Sequence, residues 1–206
     1  PAGTRVKSID TSGSPDQFVM GNIAGADVTA TANFTGALTF YQNQGDYNIA
    51  IGSNALDAVT SGAECVAIGH EALSAVTSVG NSTAVGYLAG KAVSGGSNTI
   101  IGLRAAEHAT SIVHCVAIGR NALQGDGSTA PTGDYNVAIG NYTLDAVTSG
   151  ASNIAVGYNA GTSVTTGGFN THLGGAAGQS VTTEVSNTYV GYSSGNVMHG
   201  AFNVAL

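Results

Sequence analysis

Asn136-Val137-Ala138-Ile139-Gly140 is followed by twelve residues and then by Asn153-Ile154-Ala155-Val156-Gly157, so the chain returns to its own motif after 17 residues. The motif first appears as Asn48-Ile49-Ala50-Ile51-Gly52, and its glycines fall at Gly52, Gly69, Gly86, Gly102, Gly119, Gly140, Gly157, Gly174 and Gly191. Their spacings are 17, 17, 16, 17, 21, 17, 17 and 17 residues. One period held through nine copies marks a stacked repeat architecture.

Within each copy the residue before the glycine (position −1) is aliphatic, as in Ile51, Ile118 and Val156. The residue at −3 is β-branched (Ile49, Val116, Thr171), and Ala usually stands between them. This alternation describes a strand with one large and one small face. After the glycine a small residue recurs at +3 and an aliphatic one at +7, often Val, before a turn rich in Ser, Thr, Gly and Asn. Each copy therefore reads as strand, glycine turn, second short strand and turn. Stacked in parallel at about 4.8 Å per rung, the copies would bury a continuous column of Ile and Val. The expected fold is an all-β parallel β-roll, a β-solenoid of about nine rungs.

Asn at −4 (Asn48, Asn98, Asn136, Asn153, Asn170, Asn187, Asn203) is expected to form a structural ladder along one bend. Cys65 and Cys115 take the same place three rungs apart, a separation of about 14 Å that forbids a bridge between them.

The Asn-x-Ala-x-Gly-x-x-Ala pattern resembles the head repeat of YadA-type trimeric autotransporter adhesins. In its 17-residue form, with Thr165-Thr166-Gly167-Gly168-Phe169-Asn170, it is similar to repeats of bacteriophage tail-fibre and other virion surface proteins. The resemblance covers residues 45–206 and implies a left-handed roll, a homotrimer and a non-enzymatic scaffold. A narrow roll rich in Ala and Gly should also gain by packing three small-residue faces together. The rung length favours the virion relatives, hence a surface fibre or capsid decoration. The alternative is a head fragment of a bacterial adhesin on the cell surface.

Residues 1–44 do not repeat. Alternation at 28–34 and 37–40 suggests two strands, and the segment reads as a cap on the first rung and an attachment to other virion proteins. The start at Pro1 fits loss of an initiator Met. The chain stops at Leu206, one residue before a tenth glycine, so further chain or a partner is expected to cover the last rung.

Composition narrows the chemistry. With 31 Gly, no Trp, 8% charged residues and a net charge of −7, the chain has too little charge for an ordinary globular surface and too much apolar content, 43%, for a disordered one. Arg5, Lys7, Lys91, Arg104 and Arg120 are scattered along it, so no footprint for nucleic acid or acidic membranes is expected. No apolar run approaches the roughly 20 residues of a membrane span. No nucleophile–His–acid spacing, phosphate loop or paired carboxylates appear, and the five histidines fall at unrelated places in the repeat. No catalytic residue, metal site or cofactor is expected. The positions +1 and +2 vary freely and should face outward. There Tyr87, Tyr142, Tyr158 and Tyr192 offer stacking surfaces to a host glycan or protein. The surplus of the 21-residue rung, within 124–133, should bulge outward.

Overall fold

The computed structural model describes residues 47–78, 80–125, 127–196 and 200–206. The expectations for residues 1–44 lie outside them. Ten short strands, β1 (Ile49–Ile51), β2 (Val66–Ile68), β3 (Thr83–Val85), β4 (Thr99–Ile101), β5 (Val116–Ile118), β6 (Val137–Ile139), β7 (Ile154–Val156), β8 (Thr171–Leu173), β9 (Thr188–Val190) and β10 (Val204–Ala205), form one parallel sheet in sequence order. Register is strict: Val116 pairs with Val137, Ala117 with Ala138 and Ile118 with Ile139. The fold is a β-solenoid, and among the described residues it contains no helix.

The glycine column is fixed by geometry. Each glycine holds φ between 116° and 142°, and a Cβ on Gly119 would stand 2.6 Å from the carbonyl oxygen of Gly140. An L side chain there would meet both backbone strain and a steric clash.

The interior is the reverse of the sequence expectation. The alanines at −2 point inward, with Ala67, Ala84, Ala117, Ala138 and Ala155 fully buried, while the aliphatic residues at −1 and −3 face outward. Ile49 and Ile154 are 43% and 46% exposed. Inside, the space is already filled from the opposite wall by Leu56, Leu73, Leu123 and Leu144 at +4 and by Val59, Val76, Val93, Val147, Val164 and Val181 at +7. A methyl group is what remains to be accommodated opposite them. Where the inward strand residue is large, +4 shrinks. Ile100 meets Gly90, the His172 ring lies against Gly161 and Gly178, and the Tyr189 ring lies against Gly178 and Gly195. Volume is conserved across the rung, as close packing demands.

Among the described residues the second short strand is absent, and a chain of turns replaces it. Residues at +2 and +4 adopt left-handed dihedrals, as in Asn54 (φ 57°) and Leu56 (φ 52°). This costs about 1–2 kcal/mol for a residue such as Leu, yet it turns both +3 and +4 inward, which the period-2 pleat of a strand cannot do. The cost is offset by burial of the Leu side chain and by a backbone bond to the next rung. The Leu56 N–H donates to the Ala72 carbonyl at 3.1 Å, and Leu123 repeats this with Thr143 at 2.9 Å.

In the long rung, Gly127, Ser128 and Thr129 are exposed, while Gln124, Gly125 and Pro131 are buried, so the surplus does bulge outward. The stack resumes when the Thr132 N–H donates to the Thr148 carbonyl at 2.7 Å. Deleting residues 126–129 restores a 17-residue rung. Thermal melting of that variant should show a midpoint equal to or above that of the parent, because a shorter solvated loop loses less entropy on closure. A large fall would show that the loop holds the stack together.

Candidate functional site

The bend at −4 is a polar spine. From Asn48 to Asn187 the oxygen of each Asn side chain accepts the backbone N–H of the same position one rung on. Asn153 donates to Asn136 Oδ1 at 2.9 Å, Asn170 to Asn153 Oδ1 at 3.1 Å, Asn187 to Asn170 Oδ1 at 3.0 Å and Asn203 to Asn187 Oδ1 at 2.8 Å. The side-chain amides satisfy backbone carbonyls: Asn48 Nδ2 donates to Gly62, Asn98 Nδ2 to Ile112 and Asn136 Nδ2 to Gly150. A buried bend thus keeps its backbone groups paired.

Cys65 and Cys115 continue the spine as buried thiols that are not joined in a disulfide. Desolvation pushes both thiols up, Cys115 to about 11, so neither is a ready thiolate nucleophile.

Chemistry available to a ligand lies at the corner that follows each glycine. There the N–H at +2 donates to the carbonyl at +1 of the preceding rung: Arg104 to Tyr87 at 2.9 Å, Asn121 to Leu103 at 3.0 Å and Tyr142 to Arg120 at 2.9 Å. This ladder stacks the side chains in columns. The +1 residues are outward in nearly every copy, but +2 lies at the lip of the core, so its apolar occupants Leu88 and Ala176 are buried rather than outward.

Tyr87, Tyr158 and Tyr192 are exposed and Tyr142 is half-buried. The structure brings Tyr142 and Tyr158 together, edge to face at 6.3 Å, with the Arg120 guanidinium 5.5 Å from the Tyr142 ring centre. Tyr87 stands apart from that pair and stacks instead on His70 at 5.3 Å. Tyr192 stands on the ninth rung and is 86% exposed.

Sequence reasoning missed the cations. Lys91, Arg104 and Arg120, far apart in the chain, fall at +5, +2 and +1 of three successive rungs and so share this corner. The missing signal was the offset of each from its glycine. Lys91 Nζ lies 2.7 Å from a Glu71 carboxylate oxygen, a hydrogen bond that lowers the Glu71 carboxyl and raises the Lys91 ammonium. Arg104 Nε approaches Glu107 at 3.8 Å, and the nearly buried Glu107 also accepts from Gln124 Nε2 at 2.7 Å. Among the described residues no cluster of three His, Cys, Asp or Glu could hold a metal ion.

Comparison of the chain with models of known protein families, with curated proteins and with solved structures finds no match.

Proposed function

We propose that the chain is a non-enzymatic structural protein of a bacteriophage virion, a homotrimeric fibre or decoration attached through residues 1–44 and touching the host surface. The observation that carries this reading is the outer face of the sheet. Columns −3 and −1 present Ile, Val, Leu and Thr outward on every rung, with Ile51, Ile101, Ile139 and Leu173 each more than a third exposed. These two columns form a stripe roughly 40 Å long and about 10 Å wide from strand and residue spacings. That is on the order of 400 Å² of outward aliphatic and threonine surface on each chain. A contiguous apolar patch of about 300–600 Å² on a single chain is often an interaction site.

The partner that fits is another copy. The ridges repeat at the rung spacing, and a second roll carries the same spacing by construction, so two faces can mesh rung for rung. The faces brought together are aliphatic; the small residues expected there are already buried inside each chain. A rod with no second domain in its repeat region suits a fibre better than an enzyme.

Sedimentation equilibrium at micromolar concentration should return three chains, and a stable monomer would overturn the trimer. Immunogold labelling of source particles should decorate the virion surface; particles free of label would overturn the virion assignment.

A further inference from the structure

All the lysine and arginine of the described residues is gathered at one corner of the roll, on the third, fourth and fifth rungs. The aromatic residues of that corner continue the same line: His70 and Tyr87 on the second and third rungs, Tyr142 and Tyr158 on the sixth and seventh. Hydrogen bonds, ion pairs and ring contacts link neighbours along a strip of about 24 Å.

Two of its cations are open to a ligand. Arg104 is 49% exposed and only loosely paired, its Nε 3.8 Å from Glu107. Arg120 is exposed, its guanidinium held over the Tyr142 ring, and among the described residues it has no carboxylate partner. Lys91, by contrast, is engaged by Glu71 at 2.7 Å. Tyr87 and Tyr158 are 46% and 60% exposed beside their ring partners His70 and Tyr142, and a tyrosine ring joins an apolar surface to a polar tip, which suits the apolar face and hydroxyl rim of a sugar.

We propose that this corner, from the second rung to the seventh, binds an acidic polysaccharide, with Tyr87 and Tyr158 as platforms for sugar rings and Arg104 and Arg120 as partners for its carboxylates. An arginine fork matches a carboxylate geometrically. The chain's overall charge of −7 does not forbid an anion here, since charges farther than about 8 Å are largely screened at physiological salt. The spacing of cations also selects the ligand. Nucleic acid carries a charge every few ångströms and depends on many phosphate contacts for affinity. One loosely paired arginine and one without a carboxylate partner among the described residues suit a polymer with sparse charge and exposed ring faces.

The inference rests on the reading of the protein as a surface fibre. It is tested by titrating the full chain calorimetrically with polygalacturonate fragments, with fully methyl-esterified fragments and with an oligothymidylate of similar length. Polygalacturonate should bind, and binding should weaken at least tenfold on esterification, in Arg104→Ala/Arg120→Ala and in Tyr158→Ala, with melting midpoints unchanged. No binding of polygalacturonate, equal binding by the variants, or oligothymidylate binding as tight would overturn the strip. Sedimentation on the same samples separates the two readings. A trimer that ignores polygalacturonate defeats only the binding strip, and a monomer that binds it defeats only the assembly.

Discussion

Ala117→Asp is expected to break the roll, whereas Ile118→Asp, one residue later, should leave each chain folded but unable to assemble. Ala117 is fully buried and pairs in register with Ile100 on one side and Ala138 on the other, both of them fully buried too. A carboxylate in that column would have no partner and no water, and the added volume would press on Leu123 across the rung. A loss of at least about 3 kcal/mol is expected, from desolvation and overpacking together. Because rungs are stabilised mainly by their neighbours, the damage should spread along the rod rather than stay local. Ile118 faces outward and is half-buried in the single chain. An aspartate there remains solvated in a monomer but meets its symmetry mates in the proposed assembly. Circular dichroism with sedimentation checks the contrast: Ala117→Asp should lose β signal, and Ile118→Asp should keep it while sedimenting as one chain. Unfolding of Ile118→Asp together with a normal Ala117→Asp would mean the faces of the strand are assigned the wrong way round.

Acidification from about pH 6.5 to about pH 4 should loosen the C-terminal rungs, and His172→Leu should remove most of that sensitivity. His172 occupies an inward alanine position, fully buried, and neither ring nitrogen has a hydrogen-bond partner. Its ring lies against the tilted Tyr189 ring at 5.6 Å, and burial pushes the imidazole down to about 4. An unfolded His titrates near 6.5, so between these values the unfolded chain holds the extra proton and stability falls as pH drops. The full penalty, about 3 kcal/mol at 1.36 kcal/mol per pH unit, is reached below about pH 4 and is absent above about pH 6.5. Asp145 works the other way, since desolvation raises its carboxyl and acid therefore favours its folded form. Leucine is a suitable replacement because Ile100 already shows that an aliphatic chain fits inward beside a small +4 residue. Hydrogen exchange of β8 and β9 at pH 7 and pH 4 reads the effect. Equal protection at both values in the parent chain would exclude it.

Much of the architecture was legible because a repeat multiplies weak local signals. The glycine spacing located the first nine strands, the shared offset of Asn48 through Asn203 located the bend, and the four surplus residues located the loop. Each depends on residues close in sequence and on backbone geometry that only certain side chains tolerate. Period-2 alternation also separated Ala117 from Val116 and Ile118, but it could not say which face was inside. That depends on what stands across the rung, and Leu123 and Val147 with their neighbours left room for a methyl group alone. The same cross-rung limit explains why His172 and Tyr189 require Gly161, Gly178 and Gly195, a compensation between positions that looks like unrelated variation along the chain. Left-handed turns at Leu56 or Leu144 were hidden too, since nothing in an isolated leucine favours φ near 50°; burial and a bond to the next rung do. Sequence by itself determined the rungs, their number and their register, because those follow from local chemistry repeated at a fixed interval. Tertiary structure alone decided which surface was interior and which charges met at a corner, because volume and proximity are properties of the closed rung.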